Sequence, residues 1–364
     1  MTQTPPNRGR ILAGFTLALA IALSAYILIN AAKAGSVGFA SLWFLAILPA
    51  YLCALICYVA DPGLERPRSF YLSVPPVFGA LVCLGSAVFL REGVICLVML
   101  APIWLSFGWL GVYILRRWRK GRDDPARFRA SLLFLPLLCG GMESQIPVID
   151  KPVTLTRSIV IGATPEQIWP YAVANAHIGP DEGQWNFTQN ILRLPRPRAT
   201  TLQGQGVGAI RTAYWGDHIN FEERITQWQP GRRLGWAFAF TNSSLQDYTD
   251  RHIAPDGPFL KIDTGDYTLT PLDADRTLLT LRTNYIAKTH VNPYAQLWGE
   301  ILLGDIQSNI LAIIKQRAEG RVGKGNRAFR MNGRPGGTTV WSRGDQPVPD
   351  RPWDRGDIVI SLFV

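Results

Sequence analysis

Charge is what the first third of this sequence lacks. Charged residues make up 18% of the 364, yet residues 11–115 are nearly free of them, while 150–320 have the mixed composition of a soluble protein. Such a split excludes one globular core and predicts two unlike parts. Cysteine is absent from 150–364, and all five (Cys53, Cys57, Cys83, Cys96, Cys139) lie in or beside apolar runs. The soluble part therefore has neither a disulfide framework nor a thiol nucleophile. Cys53 and Cys57 stand one helical turn apart, but in a membrane helix cysteine serves as a small apolar residue. Also missing are a Gly-x-Ser-x-Gly elbow, a phosphate-binding loop and a dinucleotide fingerprint. The Gly-rich stretch 204–208 leads into a strand, not a helix. The four histidines (His177, His218, His252, His290) are scattered without metal-ligand spacing, so neither a metal nor a cofactor is expected.

What the first third does contain is four apolar stretches, Ile11–Ala32, Val37–Ala60, Tyr71–Leu90 and Val94–Leu115. Each approaches the ~20 residues that cross the bilayer hydrocarbon as a helix. Only helices satisfy their own backbone groups there, so 1–115 is expected to be a four-helix transmembrane region. The first stretch is too long for a signal-peptide core and runs into a second, so it reads as a retained anchor. Pro75 and Pro76 predict a kink or a late start in the third span. No span carries an ionisable residue in its interior, which favours an anchor over a channel or transporter.

The formal net charge of +10 would suggest nucleic acid, but its placement argues otherwise. Seven basic residues (Arg116, Arg117, Arg119, Lys120, Arg122, Arg127, Arg129) follow the fourth span directly. With Arg8, Arg10, Arg66 and Arg68 they put eleven basic residues on one side, against Lys33 and Arg91 on the other. The positive-inside rule then places the N-terminus and the segment after span four in the cytoplasm, as in a bacterial inner membrane. The same cluster suits anionic headgroups, making membrane lipids a partner. Within 116–150, the apolar run 130–142 holds Pro136 and only about a dozen residues, short for a crossing. It reads as interfacial, leaving the soluble domain cytoplasmic; a crossing would move the domain to the periplasmic side.

The soluble half opens with a β-branched strand, 152–161. Thr164-Pro165-Glu166-Gln167 follows as a capped helix start. Alternating runs then recur: Ile210-Thr212-Tyr214, Ile219-Phe221-Glu223-Ile225, Leu234-Trp236-Phe238-Phe240, Tyr267-Leu269 and Leu279-Leu281-Thr283-Tyr285. Turns such as Gln229-Pro230-Gly231-Arg232 join them as antiparallel hairpins. One long amphipathic helix, 293–319, closes the domain, with Gly320 as its stop. A curled sheet needs its apolar face covered, and this helix alone is long enough. Large–small alternation on the sheet leaves space beneath it, where a small molecule binds. The tail, 321–364, rich in Gly, Arg and Pro, is expected to be disordered.

From about Val153 to Glu319 the chain resembles the SRPBCC superfamily of START-like lipid-transfer domains and polyketide cyclases. The likeness is carried by 163–169 (Ala-Thr-Pro-Glu-Gln-Ile-Trp), Gly206–Arg211, Phe221–Ile225 followed by Trp228–Leu234, Gly265–Leu269 and the last helix. It implies a helix-grip fold over 151–320: a curved antiparallel sheet on a long C-terminal helix, with a cavity for a lipid, sterol or polyketide-like molecule.

Candidate lining residues are Trp185, Tyr214, Trp236, Phe238, Tyr267, Trp298 and Ile301, all of which ordinary core packing explains equally well. Glu222 and Glu223 are adjacent on a strand, so one faces inward, as an acid–base group or paired with Arg211 or Arg224. His218, in the turn Trp215–His218, is the remaining catalytic candidate. Three functions follow: a membrane-anchored binder of a hydrophobic small molecule, a cyclase or dehydratase using an inward carboxylate or His, and a scaffold with a filled groove. Binding is preferred over catalysis, and no nucleic acid is expected.

Overall fold

A computed structural model describes residues 8–31, 40–90, 93–120, 135–143, 145–248, 254–257 and 259–332. Four apolar helices come first: α1 (Arg8–Ala31), α2 (Trp43–Ala60, its first turn π-wound), α3 (Arg68–Leu90) and α4 (Val94–Arg119). All four are long and apolar enough to cross a membrane. The third helix starts before Pro75 and Pro76 and carries both inside it, so the late start expected there does not occur.

Small residues let the helices approach closely. A Cβ on Gly111 of α4 would strike the Ala50 backbone of α2, and one on Gly108 would meet Pro75 of α3 at 3.1 Å. Helix α2 is central, with Leu48, Leu52 and Ile56 fully buried. Its far end is closed by Asp61, which accepts from the Glu65 and Arg66 amides at 3.1 and 2.9 Å and from the Tyr71 hydroxyl. The Arg119 guanidinium donates to the Asp61 and Pro62 carbonyls beside it.

The short helix α5 (Leu135–Glu143) ends at the opposite end of α2. There the Glu143 carboxylate accepts from the Leu42 and Trp43 amides, both at 2.6 Å, at the positive end of the helix. It also pairs with His290 Nδ1 at 2.9 Å, just ahead of the last helix. The 18 residues of α2 span about 27 Å. Arg119 and Glu143 therefore lie at opposite ends of the bundle, and the sheet-bearing domain sits at the end remote from Arg116–Arg119. Of the run expected to be interfacial, 130–134 lie outside the described residues, and 135–143 form α5.

The domain itself is a seven-stranded antiparallel sheet in the order β1-β7-β6-β5-β4-β3-β2. Its strands are β1 (Lys151–Ile161), β2 (Pro197–Gln203), β3 (Ile210–Trp215), β4 (Ile219–Gln229), β5 (Arg233–Ala239), β6 (Leu260–Pro271) and β7 (Thr277–Ala287). Helix α6 (Pro165–Val173) starts with the expected capping box, Gln167 Oε1 accepting from the Thr164 amide at 2.9 Å. A short α7 (Ser244–Tyr248) follows β5. Strand β2 has no apolar alternation to reveal it; it is an edge strand, paired only with β3.

The last helix, α8, runs Asn292–Asn332, twelve residues past Gly320. Glycine ends a helix when it turns left-handed, and Gly320 does not. The helix thus runs into the stretch expected to be disordered from 321, and 333–364 lie outside the described residues. Helix α8 would also meet the length and apolarity of a membrane span, but its apolar face is covered by the sheet. Its C-terminal half packs solidly: Leu311, Ile314 and Ala318 close on Ile161, Ile168, Leu234 and Leu279. The loop before β2 is tied to it by Asp305 on Thr188 (2.8 Å), Asn309 on Gln189 (2.7 Å) and Arg317 on Glu182 (2.5 Å).

Candidate ligand-binding site

The N-terminal half of α8 rests on β1 and β7, with Leu303 against Leu155 and Tyr285. Between it and the remaining strands lies a cavity that, together with its extension among the apolar helices, measures about 680 Å³, within the ~300–1,000 Å³ of small-molecule sites. Its α8 wall follows the helical repeat through Trp298, Leu302, Ile306, Ile310 and Ile313. The sheet wall is mainly aromatic, with Phe221, Trp236, Phe238 and Tyr267 in contact with one another. Gly265 makes this possible: its Cβ would come within 2.5 Å of the Trp236 indole, which lies directly on the glycine.

One wall carries a buried ion pair. Arg211 and Glu223 stand opposite each other on β3 and β4, with Nε and Oε2 2.5 Å apart. The guanidinium also donates to the Ala172 carbonyl at 2.7 Å and lies 4.2 Å from the Trp236 ring centre. Burial pushes the Glu223 carboxyl above the ordinary carboxylate range, with Arg211 opposing it. Burial likewise pushes the Tyr267 phenol up to about 12. On the α8 side Gln307 donates to Thr283 Oγ1 at 2.8 Å, and its Oε1 is buried without a partner among the described residues. The walls are thus mainly apolar, with polar side chains at Arg211 and Glu223 on β3 and β4 and at Thr283 and Gln307 on β7 and α8.

The expected lining residues divide. Trp236, Phe238, Tyr267 and Trp298 line the cavity. Tyr214 does not: it is 41% exposed, because Arg211, Ala213 and Trp215 are the inward set on β3. Trp185 lies 69% exposed on the loop before β2, away from the cavity. Ile301 falls beside the lining face, one position short of Leu302. Of the catalytic candidates only Glu223 reaches the cavity. Glu222 points to the other face, 3.8 Å from Arg224, and His218 is exposed in the β3–β4 turn. His252 lies outside the described residues. Arg211, Thr283 and Gln307 are the site residues sequence reasoning did not pick as lining.

No protein-family model matches the chain, and no curated protein matches it. Solved structures similar to it include the Zhui aromatase/cyclase from Streptomyces sp. R1128, 13% identical over 47% of this chain and 96% of that one, with a TM-score of 0.31. Norcoclaurine synthase from Thalictrum flavum is 14% identical, over 50% of this chain and 90% of its own, with a TM-score of 0.30. A protein from Thermobifida fusca is 16% identical, over 46% and 93%, with a TM-score of 0.28.

Proposed function

We propose that the chain is a membrane-anchored binding protein for a hydrophobic molecule with one polar end, held between the sheet and α8. The reading is carried by the cavity itself, which is roomy, mainly apolar and closed at its far end by the packed half of α8. A scaffold with a filled groove would need that space packed. The contact of Glu143 with the first turn of α2, at the end of the bundle remote from Arg119, supports a domain on the side of the membrane opposite the basic cluster. That side is periplasmic in a bacterial inner membrane.

The test is lipid analysis of the full-length protein after detergent extraction. The wild-type chain is expected to retain a stoichiometric lipid or other apolar molecule, and Ile306→Trp, which fills the cavity, to lose it. A chain with no bound molecule and no uptake of a fluorescent fatty acid contradicts the proposal.

A catalytic reading rests on Glu223, a cavity carboxyl whose pKa burial raises toward the range of a general acid. It is distinguished by Glu223→Gln: a binder keeps its ligand, whereas an enzyme keeps the ligand and loses turnover.

A further inference from the structure

The cavity does not stop at the domain boundary. Its walls continue without a break into the helix bundle: Leu23 and Tyr26 on α1, Gly85 and Phe89 on α3, and Leu100 and Trp104 on α4. Trp104 lies ten residues into α4, about 15 Å below its start at Val94. That depth is half the hydrocarbon thickness of ~30 Å. Helices α2 and α4 pack against each other, with α1 on α2 and α3 on α4, and the groove runs between α1 and α3. The first turn of α2, with Phe44 and Leu45, forms part of its wall. The outer rim at the end of α3 is apolar and open, with Leu84 64%, Val88 67% and Phe89 84% exposed. Above the groove the domain is pinned to the bundle at two points: the Tyr294 hydroxyl on the Met99 carbonyl, and His290 on Glu143.

We propose that this groove is a lateral portal through which an acyl chain of a bilayer lipid passes between α1 and α3 directly into the cavity under α8. This rests on the ligand-binding reading and names both the ligand class and its route. A groove at membrane depth whose described walls are apolar apart from Tyr26 and Ser86 favours an acyl chain over a water-borne ligand. The polar patch at Arg211, Glu223 and Gln307 lies beyond the groove, inside the domain, where it meets the ligand's polar end.

Gly85 provides the means of testing the route. A Cβ there meets nothing within 4 Å, so a large side chain enters the groove without touching the domain. Full-length protein is reconstituted in phosphatidylethanolamine/phosphatidylglycerol vesicles that contain a phospholipid with a photoreactive diazirine on its acyl chain. A soluble diazirine fatty acid, added from water to detergent-solubilised protein, is the second probe. In the wild type both probes are expected to label α8 between 294 and 313, and the vesicle probe also 81–104. Gly85→Trp lowers vesicle labelling of α8 about tenfold, the factor that ~1.4 kcal/mol of overpacking makes, and leaves soluble-probe labelling unchanged. Leu81→Trp, at a second groove position, is expected to do the same. Unchanged vesicle labelling of α8 in both variants overturns the lateral route while the binding reading survives. Failure of either probe to label α8 in the wild type brings down the binding reading together with the route. Loss of soluble-probe labelling in both variants would mean that they destroy the cavity rather than close its entrance, and this too overturns the portal.

Discussion

Arg211 and Glu223 are a charged pair built into an otherwise apolar wall, and the two partners have unequal consequences. Removing one strands the other's charge in a buried site, at a cost of about 3–5 kcal/mol. Arg211→Met is therefore expected to lower the stability of the full chain by that amount in a denaturant titration. The double replacement Arg211→Met/Glu223→Leu should recover most of the loss. The single variant also acquires a pH dependence of known sign. With Arg211 gone, only burial acts on Glu223, and burial raises its folded-state pKa. Between the unfolded and folded values the native state then binds more protons than the unfolded state, so stability falls as pH rises. Arg211→Met should be most stable near pH 4 and weaken toward pH 8; a flat profile would contradict the assignment. Strand alternation required one of Glu222 and Glu223 to face inward but left open which, and whether its partner is Arg211 or Arg224; the structure turns Glu223 inward onto Arg211. The companion inference, that Tyr214 faces inward, failed on the same strand. Ranking faces by hydrophobicity chose Ile210, Thr212 and Tyr214, whereas the ion pair places Arg211 inside and so sets the parity of every neighbour.

Single positions decide whether whole elements meet. Gly265 on β6 lets β5 lay Trp236 flat against it, and Gly265→Val would drive the ring off its seat. A loss of about 2–3 kcal/mol is expected, as for other overpacked cores, together with weaker ligand retention. Glu143 caps the first turn of α2 while holding His290, so one carboxylate joins α5, α2 and the start of α8. Glu143→Gln keeps the hydrogen-bonding shape but removes the charge, and is expected to lower the melting temperature of the full chain, the loss being about 1 kcal/mol. No melting difference would remove the capping role. None of these joints could be read from spacing: Gly265 and Trp236 are 29 positions apart, and Glu143 lies a hundred or more from Leu42, Trp43 and His290. What spacing did reveal was local: four apolar runs, the capping box of α6, six of the strands between 152 and 285, and the apolar stripe of α8. The extent of α8 past Gly320 escaped because glycine is a stop only when tertiary contacts give it a left-handed turn.

At the scale of the molecule, the bundle and the sheet-bearing domain share one void. The count of basic residues sets an expectation for the bundle's orientation, and the contact of Glu143 with the start of α2 puts the domain at the opposite end of the bundle from Arg116–Arg119. Topology is testable apart from any ligand. Asp275→Cys, in the exposed β6–β7 turn, is expected to react with a membrane-impermeant maleimide on intact cells, and Arg68→Cys, at the start of α3, to be protected. The reverse pattern would return the domain to the cytoplasmic side. The shared cavity itself was only partly legible. Large–small alternation and the length of α8 announced a space under the helix, but its continuation into the bundle depends on the gap left between α1 and α3, which no sequence period encodes. The most direct measurement is an experimental structure of the full-length protein in lipid nanodiscs. Elongated density is expected between Trp236 and Ile306, running on past Gly85 toward the rim at Phe89. An interior filled by side chains, with no such density and no room for it, would contradict the account.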